Sequence, residues 1–299
     1  MNDDPRSGDV GEFERHRARL FGIAYRMLGT VEDAEDVLQE AYLRWHQADP
    51  AAVRTPEAWL VAVTTRLSID RLRRAAAERE HYVGDWLPEP IATDPPPDRQ
   101  AEMASDLSMA FLVLLERLAP EERAALLLHD VFDTGYAEIA RVLEKSEPAC
   151  RQLVHRARAR VRGDRARFPV PVETKERLVE QFLAAIGADD KDGVLALLAE
   201  DATWTSDGGG KVRASRRVVR GADRVARLVL GLERKWGRIV RHEVVWLNAE
   251  PAIATYVGDR LAFTTSVDTD GERLVAFYRV LNPEKLRHAE SGHDTGEWP

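Results

Sequence analysis

The chain has 299 residues, 44% hydrophobic and 31% charged, a composition that suits a globular protein of about two or three modules. It has no apolar run of about 18 residues to span a bilayer, and its start, MNDDPRSGDV, lacks the basic and apolar parts of a signal peptide, so a cytoplasmic protein without a membrane partner is expected. One cysteine and eight histidines without paired ligand spacing predict no disulfide framework, metal or cofactor, and the net charge of −8 argues against a free-standing DNA binder.

From Glu12 to about Arg79 the apolar spacing is helical. In TVEDAEDVLQEAYLRW, Thr30 is a candidate N-cap, and Ala34, Val37, Leu38, Ala41 and Trp45 form a stripe to be buried. Asp33, Asp36, Gln39, Glu40 and Arg44 lie on the opposite face. After the loop QADPAAVR, Thr55 caps and Pro56 opens a second long helix, TPEAWLVAVTTRLSIDRLRR, whose arginines gather toward its far end. His81 to Arg99, with five prolines and no sustained period, reads as a linker.

Helices resume at Ala101 and again at Pro120. YAEIARVL, a turn at EKS, and EPACRQLVHRARARVR have helix-turn-helix spacing, with Ile139, Ala140, Leu143, Cys150, Val154 and Ala157 as the apolar hinge and Ser146 as a cap. Glu147, Arg151, Gln152, His155, Arg156 and Arg158 then point outward, where Arg and Gln suit base edges and phosphates. The pattern alone also fits an ordinary helical hairpin. Glu144 stands in the turn where glycine is usual.

After FPVPV, Phe168 to Val172, two helices (Thr174 to Ile186 and Lys191 to Ala199) precede the strand-like DATWTS, the sequence DGGGK, and a helix within GADRVARLVLGLER. Four β-like runs follow: IVRHEVVWL, AIATYV, LAFTTSV and RLVAFYRVL. This order predicts an α+β unit, a helix across a curved antiparallel sheet. DGGGK fails as a phosphate loop, because Thr205 replaces the first glycine of GxxxxGK and Val212 the hydroxyl; a glycine turn is the simpler reading.

The first two blocks together resemble the extracytoplasmic-function sigma factors of bacterial RNA polymerase, over roughly residues 10 to 165. DAEDVLQEAYLRW is similar to the core-binding segment of region 2, AWLVAVTTRLSIDRLRR to the helix that meets the −10 element, and YAEIARVLEKSEPACRQLVHRARARV to region 4, which reads the −35 element. The resemblance implies that Asp33, Asp36, Gln39, Glu40 and Leu43 meet the polymerase core. It further implies that Arg66, Arg71, Arg73 and Arg74 neutralise phosphates near the −10 element, and that Glu147, Arg151, Gln152, His155, Arg156 and Arg158 serve the −35 element. The partners are then polymerase core and promoter DNA.

Three short signatures extend the resemblance to the ECF41 subgroup, whose carboxy-terminal extension is similar to the SnoaL-like branch of the NTF2-like fold. They are WLPEP (Trp86, Leu87 and Pro88 within it), DGGGK (Asp207, Gly208, Gly209, Gly210 and Lys211) and NPEKL (Asn282, Pro283 and Lys285 within it). The resemblance implies that the extension regulates the sigma modules in cis, with these residues as regulatory contacts. Taken singly, WLPEP also fits a stiff proline linker with one buried tryptophan, and NPEKL a helix start. The fold class expected is multidomain, two all-α modules followed by an α+β NTF2-like cone. The expected boundaries are region 2 at 10–80, linker at 81–106, region 4 at 107–167 and SnoaL-like domain at 172–290. Two other readings stay open: a small-molecule ligand in the SnoaL-like pocket, and catalysis there by Asp207, His242, Tyr256 or Asp268, since a general acid or base needs a shielded pocket. A plain helix-turn-helix repressor would leave the first block without a role.

Overall fold

In the computed structural model, residues 7–49, 53–95, 106–162 and 170–290 are described. The expected linker therefore falls partly outside the described residues, as do the arginines just beyond 162. The described chain forms two compact units: one contains the residues up to Glu80 and from Leu114 through 162, the other His81–Val113 and 170 through 290.

The first unit is all-helical: α1 (Ser7–Leu28), α2 (Val31–Gln47), α3 (Pro56–Arg79), the end of α4 (Met109–Leu115), α5 (Pro120–Leu126) with a wider π turn at Leu127–Val131, α6 (Tyr136–Leu143) and α7 (Glu147–Arg162). Thr30 caps α2 as expected, its Oγ1 accepting from Asp33 N at 3.3 Å. The predicted stripe of α2 is buried throughout, and the Trp45 ring meets Trp59 at 5.6 Å. Thr55 has the extended backbone of a cap, but its hydroxyl makes no cap bond, so proline's fixed φ at Pro56 carries the start of α3.

The turn between α6 and α7 is made by Glu144 in the left-handed region (φ 54°, ψ 43°), a non-glycine residue doing what glycine usually does. Ser146 accepts from Ala149 N at 3.4 Å. Ile139, Cys150, Val154 and Ala157 are fully buried in the hinge, but Val142, not Leu143, is the buried residue of the next turn. Positions three and four residues on from Ile139 both lie on its face, and packing of α6 on α3 selects Val142. Burial raises the Cys150 thiol pKa, which makes it an inert core residue.

The second unit contains α8 (Val172–Gly187), α9 (Lys191–Leu197), β1 (Leu198–Asp207), β2 (Val219–Arg220), α10 (Ala222–Trp236), β3 (Val240–Leu247), β4 (Glu250–Val257), β5 (Arg260–Thr269) and β6 (Leu274–Val280). The strand order is β2-β1-β6-β5-β4-β3. The expected antiparallel sheet is corrected to a mixed one: β1 runs parallel to β6, pairing Trp204 with Phe277, because the α10 crossover brings the chain from β1 into the meander. Register shifts at Thr255/Tyr256 and Asp268/Thr269 bend the meander.

Helices α8 and α10 bury one face of this sheet around Leu178, Phe182, Trp204, Val229 and Phe277. The opposite face carries a second core of Leu87, Leu247, Ala252, Ala254, Leu261, Val280, Leu286 and Ala289. Leu87 comes from the stretch read as a linker. That stretch lacks a period because of its prolines, yet Leu87 to Ile91 are all buried and Ala92 bridges to Leu247. Burying a leucine contributes roughly 1.5–3 kcal/mol, so this strip is a structural part of the second unit.

Candidate nucleic-acid interface and linker anchor

On α2, Asp36, Gln39, Glu40 and Leu43 are exposed, and Leu43, 47% accessible, is an unusual apolar side chain to leave in water. Gln39 also lines a groove of about 260 Å³ between α1 and α2, with Phe13, Arg17, Glu35 and Tyr42. Asp33 differs from its neighbours. It is half-buried and accepts from Arg71 Nε at 2.7 Å, so one expected polymerase contact and one expected phosphate contact are paired with each other.

The other α3 arginines expected at the −10 element, Arg66, Arg73 and Arg74, are exposed but engaged. Arg66 donates from Nε to Val142 O and from Nη2 to Arg141 O, both at 2.8 Å, and sits 3.2 Å from Glu144. Those carbonyls end α6, where four C=O groups lack helical partners and the dipole is negative, so a cation is favoured there. Arg73 pairs with Asp70 and Glu121, and Arg74 donates to Asp70 O. Arg79, which the sequence reading did not single out, donates to Leu28 O and pairs with Glu116. Glu116 also holds Arg123, 1% exposed, which reaches Met27 O at 2.7 Å.

On α7, Arg151, Gln152, His155 and Arg156 are exposed. Arg151 pairs with Glu147 and lies 5.0 Å over the Tyr136 ring. Arg156 pairs with the buried Glu122, and Arg158 with Asp130 at 2.5 Å. Burial would raise the Asp130 carboxyl, but hydrogen bonds from Arg158 and His129 outweigh it and hold it below the usual range. Arg151, His155, Arg158 and Ala159 surround a hollow of about 180 Å³. The exposed Arg151–Glu147 pair is worth about 0–1 kcal/mol, weak enough for a phosphate to displace the carboxylate, whereas the carboxylate of Glu122 is buried.

The three signatures of the second unit converge on one buried carboxylate. Asp207, at the end of β1, is fully buried. Its Oδ1 accepts from the Tyr82 hydroxyl at 2.5 Å and Gly209 N at 3.0 Å, and its Oδ2 from Leu87 N at 3.0 Å and Lys285 Nζ at 2.7 Å. Its carbonyl accepts from Leu281 N and Asn282 N. The Lys285 ammonium also donates to Leu87 O at 2.6 Å and sits 4.1 Å over the Trp86 ring. Burial, and then the bond to Asp207, raise the Tyr82 phenol well above its usual range, keeping it a donor.

The glycines explain themselves in this setting. A Cβ on Gly208 would lie 2.3 Å from Val212 O, and Gly209 has φ +58° with Asn282 Nδ2 only 2.4 Å from where its Cβ would stand. DGGGK is thus a tight turn fitted under the NPEKL segment, with Asn282 capping the short 3₁₀ turn Pro283–Lys285. Lys211 is exposed and pairs only with Glu284. Trp86, offered as the buried residue of WLPEP, is half-buried, and Leu87, Pro88, Glu89 and Pro90 are the buried ones. Sequence reasoning missed Tyr82, Glu89, which meets His288 at 2.7 Å, and Asn248, whose amide and side chain bond Ile91. A tyrosine four residues before WLPEP was the available signal.

The four catalytic candidates do not assemble. Asp207 is consumed by its partners. By strand alternation Tyr256 and Asp268 share its face, whereas His242 lies on the helix-covered face, held between Thr255 at 2.8 Å and Glu233 at 3.1 Å. Among the described residues no helix is long and apolar enough to cross a membrane.

Comparison with known proteins agrees with this anatomy. A family model described as Sigma-70 region 2 matches residues 13–78, and one described as Sigma-70, region 4 matches residues 108–161. The chain is 40% identical to the ECF RNA polymerase sigma factor SigJ of Mycobacterium tuberculosis, over 93% of each chain. It is 30% identical to the probable ECF RNA polymerase sigma factor SigI of the same species, over 91% of this chain and 92% of that one. The crystal structure of M. tuberculosis SigJ matches with a TM-score of 0.74 at 38% identity, covering 93% of this chain and 98% of the other. With both sigma-70 regions in order and an α+β unit after them, the chain belongs to the extracytoplasmic-function RNA polymerase sigma factors, which direct transcription initiation.

Proposed function

We propose that this sigma factor is of the ECF41 subgroup, acts in the cytoplasm, and is regulated in cis by its carboxy-terminal domain in place of a separate anti-sigma factor. The observation that carries the proposal is the Asp207 anchor, which ties residues 82 to 93 to the cone through Leu87, Trp86 and Lys285. Those residues belong to the only chain segment that links region 2 to region 4. A domain that grips the link controls how far the two DNA-reading modules separate, and hence whether both promoter elements are reached together. Trp86, Leu87, Pro88, Asp207, the three glycines, Asn282, Pro283 and Lys285 are assigned to the anchor. Lys211 is its solvent-facing edge.

In the same reading, Asp36, Gln39, Glu40 and Leu43 on α2 form the core-polymerase face, with Asp33 released to it when Arg71 turns to a phosphate. Arg66, Arg71, Arg73 and Arg74 meet the −10 region; Glu147, Arg151, Gln152, His155, Arg156 and Arg158 meet the −35 element. Their present carboxylate and carbonyl partners make DNA binding an exchange, which suits a protein of net charge −8 that binds promoters only after polymerase has taken it up.

Run-off transcription with purified core polymerase on the protein's own promoter region tests this, comparing the full chain with versions truncated near Pro169 and just before Asn282. Initiation by the full chain, with a changed level for both truncations, is the expected result. Unchanged levels overturn cis regulation, and failure to initiate despite intact core binding overturns the promoter assignment.

A further inference from the structure

The helix-covered face of the sheet holds a cation with no hydrogen-bond or ion-pair partner among the described residues. Arg279 on β6 is aligned with Ser206 of β1 and Thr265 of β5. Its guanidinium stacks 3.4 Å from the Phe263 ring centroid and lies 5.7 Å from that of Trp204. Its Nε is sealed from solvent without a hydrogen bond, and the side chain makes no hydrogen bond or ion pair to any described residue. Among the described residues Lys175, by contrast, meets Glu250, and Arg123, whose Nε is likewise sealed without a partner, still pairs with Glu116 and reaches Met27 O. Burial alone lowers the Arg279 pKa to about 10, with no carboxylate nearby to offset it. Arg279 as a whole is half-buried, so its terminal nitrogens are not sealed as its Nε is, and a guanidinium partly desolvated without an ion pair is a place where a ligand supplies the missing charge.

We infer that the cone binds a small organic monoanion, a carboxylate with an apolar body, whose oxygens take the guanidinium edge of Arg279. A planar carboxylate matches the fork of N–H donors in two parallel bonds. The polar groups aligned with Arg279 on the same face are the neutral hydroxyls of Ser206 and Thr265, and the half-buried Phe263 ring on which the guanidinium stacks provides apolar surface. One positive charge in apolar surroundings compensates one negative charge and leaves the second charge of a dianion unpaired. Phosphate esters are therefore disfavoured.

The test is calorimetric titration of the full chain with benzoate, cinnamate and hexanoate, and with the corresponding neutral amides. The expected result is saturable binding of at least one carboxylate, about tenfold or more tighter than its amide, and weakened by the same factor in Arg279→Gln. The amide comparison is made on the unaltered protein, so it decides even if a variant misfolds. Arg279→Met without ligand is expected to melt no lower than the parent, because it removes an unpaired charge while keeping the packing. The inference is overturned if no carboxylate binds, if amide or Arg279→Gln binds equally well, or if Arg279→Met melts several degrees lower, which would make Arg279 a structural cation. Binding is read directly, so the result is independent of whether the domain regulates transcription.

Discussion

The two units treat charge in opposite ways. In the helical unit most of the arginines singled out above lie at the surface, each beside a carboxylate or a helix-end carbonyl: Arg151 with Glu147, Arg73 with Asp70, Arg66 with the end of α6. In the cone the decisive pair, Asp207 and Lys285, is 0% and 7% exposed at the side chain and fully hydrogen-bonded. Surface pairs exchange partners at a cost of about 0–1 kcal/mol, whereas breaking a buried pair from one side costs about 3–5 kcal/mol. On the proposed function, one set of charges is given up to DNA and the other keeps the linker in place.

The sharpest way to break that contrast is Asp207→Ala. It strands the Lys285 ammonium and the Leu87 amide, and a loss of about 3–5 kcal/mol from the cone is expected, seen as lost exchange protection at Leu87 N–H and altered Trp86 fluorescence. Lys211→Ala, which removes only the exposed pair with Glu284, is expected to shift stability by less than about 1 kcal/mol. Equal effects of the two substitutions would refute the anchor. Gly209→Ala follows, costing about 1–2 kcal/mol for the left-handed backbone alone, before its contact with Asn282 is counted.

On the helical side, Arg66→Ala is expected to cost about 1 kcal/mol, read as faster amide exchange over the last turn of α6. It also lowers the salt dependence of promoter binding by the holoenzyme, by about one unit of slope if Arg66 meets a phosphate. The smallest effect sharpens the rule for the cone. Asp85 has a sealed, unpartnered Oδ2, and burial, then the charge of Asp207, raise its carboxyl pKa. A raised folded-state value means the ionised form is penalised by folding, so stability from this group is lost as pH rises through that value. Asp85→Asn is expected to stabilise the protein at pH 7 by less than about 1 kcal/mol, and the gain vanishes below about pH 3, where the wild-type carboxyl is protonated in both states. Thermal melts at the two pH values check the sign.

Periodicity was enough to read the helices of the first unit, the buried stripe of α2 and the β meander, and the family resemblance of the ordered motifs was enough to name both sigma modules. These are local properties: a residue three or four positions away on a helix, or two on a strand, is fixed in space by the backbone. Tertiary structure alone decided the rest. The parallel pairing of β1 with β6, the choice of Val142 over Leu143, and the burial of a proline-rich strip against the far face of the sheet all depend on partners distant in sequence. So does the meeting of Tyr82, Leu87, Asp207, Asn282 and Lys285, and so does the isolation of Arg279, since an arginine in a strand gives no sign in sequence of whether a carboxylate stands opposite. Local geometry is written in the spacing of residues; which charges end up paired, buried or alone is settled only when distant segments pack.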